Sequence, residues 1–341
     1  KLLFSEKPSI LIQVNNGSEI INQLNKNGIK AIKIGHPTND RYLSVSRNNW
    51  KKTFDIDKCR KYWYKTSYLL DKNQSTANLA LQRFENYPNN PLSYKFPKNF
   101  IGTLENYNLT HFKNNFSGNK AAIIREKGVN GDREMAYAMY IAGFDVKDVH
   151  MTDLISGNEN LEDVNFIVFV GGFSNSDVLG SAKGWAGAFK YNQKANKALS
   201  NFYLRSDTLS LGVCNGCQLM MELGLIESNN KSIPMSHNNS RKFESGYLTV
   251  NIQKSNSIML KSLENAQLGI FVAHGEGKFE NLNGDFDIAL KYSSGDYPYN
   301  PNGSEKNTAG LVSKNGRHLA MMPHLERVIF PWQCAHYPNE R

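Results

Sequence analysis

The chain of 341 residues is long enough for one large domain or two ordinary ones, each with its own core. Its 40 Lys and Arg against 31 Asp and Glu give a net charge of +9, spread along a Lys- and Asn-rich sequence rather than gathered in a tract, which argues against a nucleic-acid partner. Four cysteines are too few for a disulfide-built secreted scaffold and imply a reducing, cytoplasmic setting; no apolar run approaches the ~20 residues that span a bilayer.

The sequence opens on Lys1 with a strand-like run and lacks the basic, apolar, small-residue order of a signal peptide, so it reads as a piece of something longer. Residues 8 to 47 read as a strand ("SILIQV"), a helix ("SEIINQLNKNG") closed by Gly28, and two further strands ("IKAIKIG" and "RYLSVSR"). This is a small α+β fragment. From Thr53 to Tyr87 the spacing of Ile56, Cys59, Trp63, Leu69 and Leu70, then Leu79, Leu81 and Phe84, predicts two amphipathic helices. Within them "RKYWYK" (60 to 65) interleaves basic and aromatic residues, but it is short and isolated and reads as helix surface rather than a base-stacking platform. Residues 87 to 118, rich in Pro and Asn without a period, read as a linker. The N-x-S/T triplets at Asn16, Asn108 and Asn115 arise by chance in so Asn-rich a chain.

A second domain starts at Asn119. It runs through a strand ("KAAIIRE"), a helix over 132 to 142, and the strand "NFIVFVGG" with an unbroken apolar core from Ile167 to Val170. A helix over 184 to 205 follows, with Trp185 as a core anchor near its start. Alternating strands and helices predict an α/β fold with a doubly covered, mostly parallel sheet. After Asn239 the pattern turns β-rich, as in "YLTVNIQ", "LGIFVAHGEG" and "HLAMMP".

The chemistry centres on "LSLGVCNGCQLMMELG", residues 209 to 224. Leu209, Leu211 and Val213 alternate as in a strand, and Leu219, Met220 and Leu223 follow with helical spacing. Gly212 and Gly216 flank Cys214 symmetrically, which suits one residue displayed on a sharp strand-to-helix turn with other chain packed beneath it. Three other readings compete. A dithiol would use Cys214 and Cys217 at the helix start but leaves Gly212 unexplained. A zinc site lacks a second pair of ligands, so no metal is expected here. Two buried structural thiols would account for packing but not for the glycines.

A nucleophilic Cys214 needs a base, and the base an orienter. In "AMMPHLERV", His324 and Glu326 are two apart, so in an extended segment their side chains project from one face. Oxyanion donors are available from the backbone of Asn215, at the helix start, and from "GGFS", where Gly172 and Phe173 follow an apolar strand. His274 in "AHGEGK" reads equally well as a substrate contact or as the ornament of a Gly-bounded turn. "NPNGS", residues 300 to 304, is a turn by composition.

These pieces resemble the class I, triad-type glutamine amidotransferases, whose elbow G-x-C-x-G-x-Q is met by Gly212, Cys214, Gly216 and Gln218. The stretches "REKGVNGDREMAYA", "GGFSNSDVLGSAKGWA", "GVCNGCQ", "NNSRKFES", "AHGEGK", "NPNGS" and "MMPHLERV" extend the resemblance across residues 119 to 330. They point to the type in which the glutaminase closes a large single-chain, ATP-dependent synthase of purine biosynthesis. The resemblance implies a flavodoxin-like glutaminase over 119–341, the end of a synthase domain over 1–50, and joining helices and linker over 51–118. It makes Cys214 the nucleophile, His324 and Glu326 its partners, and Gly172, Phe173, Asn215 and Gln218 the contacts to L-glutamine; Cys217 inherits no role. ATP and Mg2+ would serve the synthase domain, most of which is absent, and no cofactor is expected in this part. A catalytically inactive binding module of the same fold is the alternative, against which the complete triad argues.

Overall fold

The chain divides into two compact units, Lys1–Tyr64 and Lys65–Arg341. The computed structural model describes residues 6–338 except 90, 91, 99, 101, 111, 113–115, 228 and 230, so Asn115 lies outside the described residues. In the first unit a helix, α1 (Gly17–Lys26), precedes an antiparallel hairpin of β1 (Tyr42–Arg47) and β2 (Trp50–Asp55). The strands predicted at 9–14 and 29–35 do not form: both runs are irregular, with Ile10 and Ile34 exposed. An apolar run becomes a strand only when a neighbouring strand takes its backbone hydrogen bonds, and among the described residues neither run has one.

Two helices follow as the spacing predicts, α2 (Ile56–Gln74), which begins in the first unit and ends in the second, and α3 (Ala77–Asn86). Among the described residues no helix is long and apolar enough to cross a membrane.

The second unit is built on a nine-stranded sheet. In chain order its helices and strands after α3 are β3 (Lys120–Arg125), α4 (Asp132–Ile141), β4 (Asp145–His150), α5 (Met151–Ser156), β5 (Phe166–Phe169), α6 (Lys183–Tyr191), α7 (Gln193–Leu204), β6 (Leu209–Val213) and α8 (Asn215–Glu222). The β-rich tail adds β7 (Met235–His237), β8 (Glu244–Ile252), β9 (Gln267–His274), β10 (Glu276–Phe279), β11 (Phe286–Tyr292), β12 (Thr308–Ser313) and β13 (His318–Met321). The order across the sheet is β4-β3-β5-β6-β13-β12-β11-β8-β9, parallel from β4 to β13 and antiparallel beyond. The fold is α/β, as the alternation predicts.

The central parallel strand β5 is apolar without interruption because both its faces are covered, and every residue of it is buried. α4 packs on β3 and β4, and α8 on β5, β6 and β13. Trp185 and Phe189 both meet Phe169 edge to face, so the expected core anchor is in place. The helix predicted over 184–205 is two helices. Asn192 breaks it, taking an extended backbone from which its side chain accepts the Ala195 N–H at 3.0 Å and caps α7. The strand β4 carries no strong alternation and was not predicted.

Register carries the fold to the site. Phe169 of β5 pairs with Gly212 of β6, and Val213 with Met321 of β13. The residues just past these three strand ends therefore collect at one edge of the sheet, where open α/β sheets bind ligands.

Candidate active site

Cys214 stands between β6 and α8 with φ 51° and ψ −104°, a conformation rare outside glycine that costs on the order of 1–3 kcal/mol. The turn is held from below. The Cys214 N–H donates to the Met321 carbonyl at 2.9 Å, tying the elbow to the end of β13. A Cβ on Gly216 would lie 2.0 Å from the Phe169 carbonyl oxygen, and one on Gly212 would lie 2.6 Å from the Gly216 carbonyl oxygen. Both positions thus require glycine for close approach of α8 to β5 and β6, leaving Cys214 displayed at the apex. Its thiol donates to the Ala273 carbonyl at 3.5 Å.

Cys217 is the third residue of α8, fully buried, and burial followed by the nearby Cys214 pushes its thiol pKa well up. A group so disposed does not supply a thiolate. All four cysteines are free.

Beyond β13 the chain returns beside β9, where the His324 N–H donates to the Phe271 carbonyl at 2.8 Å. Glu326 falls in a short 3-10 turn (Leu325–Arg327), not the extended segment expected, and still reaches the imidazole. Nδ1 of His324 and Oε1 of Glu326 are 2.6 Å apart, both side chains 1% exposed. Burial lowers the His324 pKa, but hydrogen bonding and the negative charge of Cys214 and Glu326 outweigh it and raise it to about 9. Nε2 has no hydrogen-bond partner among the described residues, so it is the nitrogen left for the thiol.

Opposite Cys214, the turn after β5 is pinned to the loop before α4. Asn130 donates to the Gly171 carbonyl and Phe173 to the Gly128 carbonyl, both at 2.9 Å. A Cβ on Gly172, whose φ is +125°, would lie 2.5 Å from the Asn130 nitrogen. Phe173's N–H is therefore taken, whereas those of Gly172 and Asn215, the latter first in its helix, have no acceptor among the described residues. Asn215 spans the two walls: its side-chain oxygen accepts the Ser174 N–H at 3.2 Å, and its amide donates to Asp177 at 3.3 Å and to Gln218 at 3.1 Å.

A cavity of about 290 Å³ opens over Cys214, lined by Asn130, Gly172, Phe173, Phe243, Ser245, Ala273, His324 and Arg327. It lies at the small end of ligand pockets, suited to an amino acid rather than a nucleotide. Of the predicted residues, Gly172, Phe173, Cys214 and His324 line it, while Asn215, Gln218 and Glu326 stand behind it as buried supports. Asn130, Phe243, Ser245, Ala273 and Arg327 were not predicted, although each lies inside one of the stretches that carried the resemblance. Phe173 and Phe243, both about half exposed, flank the mouth with ring centroids 6.1 Å apart.

His274 is buried against Asn238 rather than opening on the cavity. The Asn238 amide donates to two carbonyls, of His274 and Lys242, so its oxygen faces His274 Nδ1 and fixes the proton there. Burial, then the charge of His324, drives its pKa to about 3 and keeps the ring neutral.

Residues 118–341 match the model of the CobB/CobQ-like glutamine amidotransferase domain. The chain belongs to this family. Among curated relatives, this chain is 35% identical over 98% of its length to a probable phosphoribosylformylglycinamidine synthase of Caenorhabditis elegans. It is 38% identical over 99% of its length to a probable phosphoribosylformylglycinamidine synthase, chloroplastic/mitochondrial, of Arabidopsis thaliana. It spans only 27% and 25% of those two proteins. Among solved structures it is similar to PurLQS from Thermotoga maritima, at 25% identity and a TM-score of 0.54, covering 63% of this chain and 91% of that one.

Proposed function

We propose that this chain is the glutaminase part of a phosphoribosylformylglycinamidine synthase acting in purine biosynthesis in the cytoplasm, with residues 119–341 as the glutaminase, 51–118 as the join and 1–50 as the end of the synthase domain. The observation that carries the reading is the displayed Cys214 opening on the same small cavity as His324, whose Nδ1 is held by Glu326. The names of the relatives, which match nearly the whole length of this chain, support the particular synthase, and the four free thiols fit a reducing compartment.

In this reading His324 takes the Cys214 proton, and the thiolate attacks the side-chain amide carbon of L-glutamine. The tetrahedral oxyanion is stabilised by the free N–H groups of Gly172 and Asn215, the latter at the positive end of α8. Collapse breaks the C–N bond as the imidazolium gives its proton to the nitrogen, so ammonia leaves and a γ-glutamyl thioester remains. A water, deprotonated by His324, then attacks the thioester carbon, which releases glutamate and restores the thiol. Glu326 keeps the ring oriented and stabilises its charge in both halves. Asn215 and Gln218 brace the donor loop, and Phe173 closes the mouth over the substrate.

The ammonia passes to the synthase domain, which with ATP and Mg2+ converts formylglycinamide ribonucleotide to formylglycinamidine ribonucleotide. No step in the glutaminase half depends on either cofactor. The test is Cys214→Ser in the full-length protein: glutamine-dependent product formation is lost while ammonium-dependent formation persists. Equal loss of both would make Cys214 structural and favour an inactive binding module.

A further inference from the structure

The sole buried residue of α2 is a carboxylate, Asp71. No apolar side chain of α2 is fully buried, although Tyr68 stacks on Phe84 of α3, and a buried carboxylate is tolerated only when paired. Asp71 meets the Lys242 ammonium, the Ser75 hydroxyl at 3.1 Å and the Arg83 guanidinium at 3.5 Å. Arg83, on α3, also meets the buried Glu244 and the Tyr297 hydroxyl, and its guanidinium lies over the Tyr297 ring, 4.8 Å from the centroid. Tyr297 in turn donates to Glu244 at 2.8 Å. Two acids and two bases thus form one closed, charge-balanced network between residues 71–83 and residues 242–244.

The far end of that network is the cavity wall. Phe243, at the mouth, sits between Lys242 and Glu244, and Ser245 follows. Glu244 and Ser245 pair across to His274 and Ala273, and the Ala273 carbonyl receives the Cys214 thiol. The Lys242 carbonyl is also held by Asn238, the residue that fixes His274.

We propose that Arg83 and Asp71 are positioning residues for the glutamine pocket: the helices before the amidotransferase domain hold residues 242–245, and with them the Phe243 and Ser245 wall, over Cys214. Neither touches the cavity. The inference rests on the glutaminase reading above and adds that the segment 118–341 is not self-sufficient in binding its substrate.

The test is Arg83→Met in the full-length enzyme, which keeps the length of the stem and removes the charge. The KM for glutamine rises about tenfold while kcat at saturating glutamine and the ammonium-dependent rate stay within about twofold, and Arg83→Lys recovers part of the KM. A purely structural role would lower both rates together without a KM change. Should Arg83→Met fail to fold, Asp71→Asn, which keeps the shape and the Ser75 contact, carries the same expectation. An unchanged glutamine KM in a folded variant, or a parallel fall of both rates, overturns the inference. Failure of the underlying reading looks different, because the unaltered enzyme would then consume no glutamine at all.

Discussion

His324 and Glu326 meet through a 2.6 Å contact from Nδ1 to Oε1, each 1% exposed, while Nε2 of the same ring has no hydrogen-bond partner among the described residues. The pair fixes the tautomer and stabilises the imidazolium. Glu326→Gln should therefore lower glutaminase kcat by ~10²–10⁴-fold while sparing the ammonium-dependent reaction. Steady-state rates with the two nitrogen donors check this; a loss below tenfold would remove Glu326 from the triad.

The same contact sets a pH dependence. With the His324 pKa raised to about 9, the imidazolium persists below that pH and is lost as pH rises through it. The pair's contribution to stability is full below the ordinary histidine value of ~6.5 and disappears through about 9. Glutaminase kcat/KM should fall on an alkaline limb near 9, and in Glu326→Gln that limb should move to lower pH. An alkaline limb unmoved by the substitution would contradict the assignment.

Cys217 is buried at the start of α8 with its pKa driven well up, away from the cavity. Cys217→Ala should keep glutaminase activity within a few-fold and cost about 1 kcal/mol of stability for the small void. A loss equal to that of Cys214→Ser would restore the dithiol reading.

The elbow itself is sterically determined. Gly216→Ala places a methyl 2.0 Å from the Phe169 carbonyl oxygen, an overpacking that costs about 1–3 kcal/mol or more and shifts α8 off β5. Thermal unfolding should show a Tm drop of several degrees, and glutamine hydrolysis should fall with it. Wild-type values of both would mean that the turn tolerates a side chain and that its glycines have another cause.

How much of this was legible in the sequence follows from what each feature requires. The elbow and the H-x-E pair are local: Gly212, Gly216, Cys214, His324 and Glu326 carry their geometry within a few residues of chain. The cavity wall is not local. Ser245 and Ala273 come from β8 and β9, Phe243 from just before β8, Asn130 from the loop before α4, and only the tertiary fold brings them over Cys214. The runs at 9–14 and 29–35 have strand-like sequences without strand structure, because pairing depends on partners outside the run. Asn192 divides α6 from α7 through a side-chain cap that apolar spacing alone does not reveal.

The donor geometry bears on coupling. In the "GGFS" turn, expected to supply the oxyanion donor that complements Asn215, the Phe173 N–H is taken by the Gly128 carbonyl, and the Cys214 thiol rests on Ala273. Glutamine hydrolysis without a loaded synthase would waste the substrate, and a partner favouring the competent state by a few kcal/mol changes its population by orders of magnitude. The isolated chain should hydrolyse saturating glutamine much more slowly than the full enzyme with ATP and ribonucleotide bound. Equal rates would show a site already competent by itself.

The central claim is that Cys214 alone is the nucleophile of a glutamine-specific site. Its most direct test is incubation of the protein with a glutamine analogue carrying an electrophilic carbon at the amide position, followed by intact-mass and peptide mapping. The account predicts one adduct per chain, on Cys214, slowed by competing L-glutamine, with Cys59, Cys217 and Cys334 unmodified. Modification of Cys217 or Cys334 at a comparable rate, or no adduct on Cys214, would contradict it.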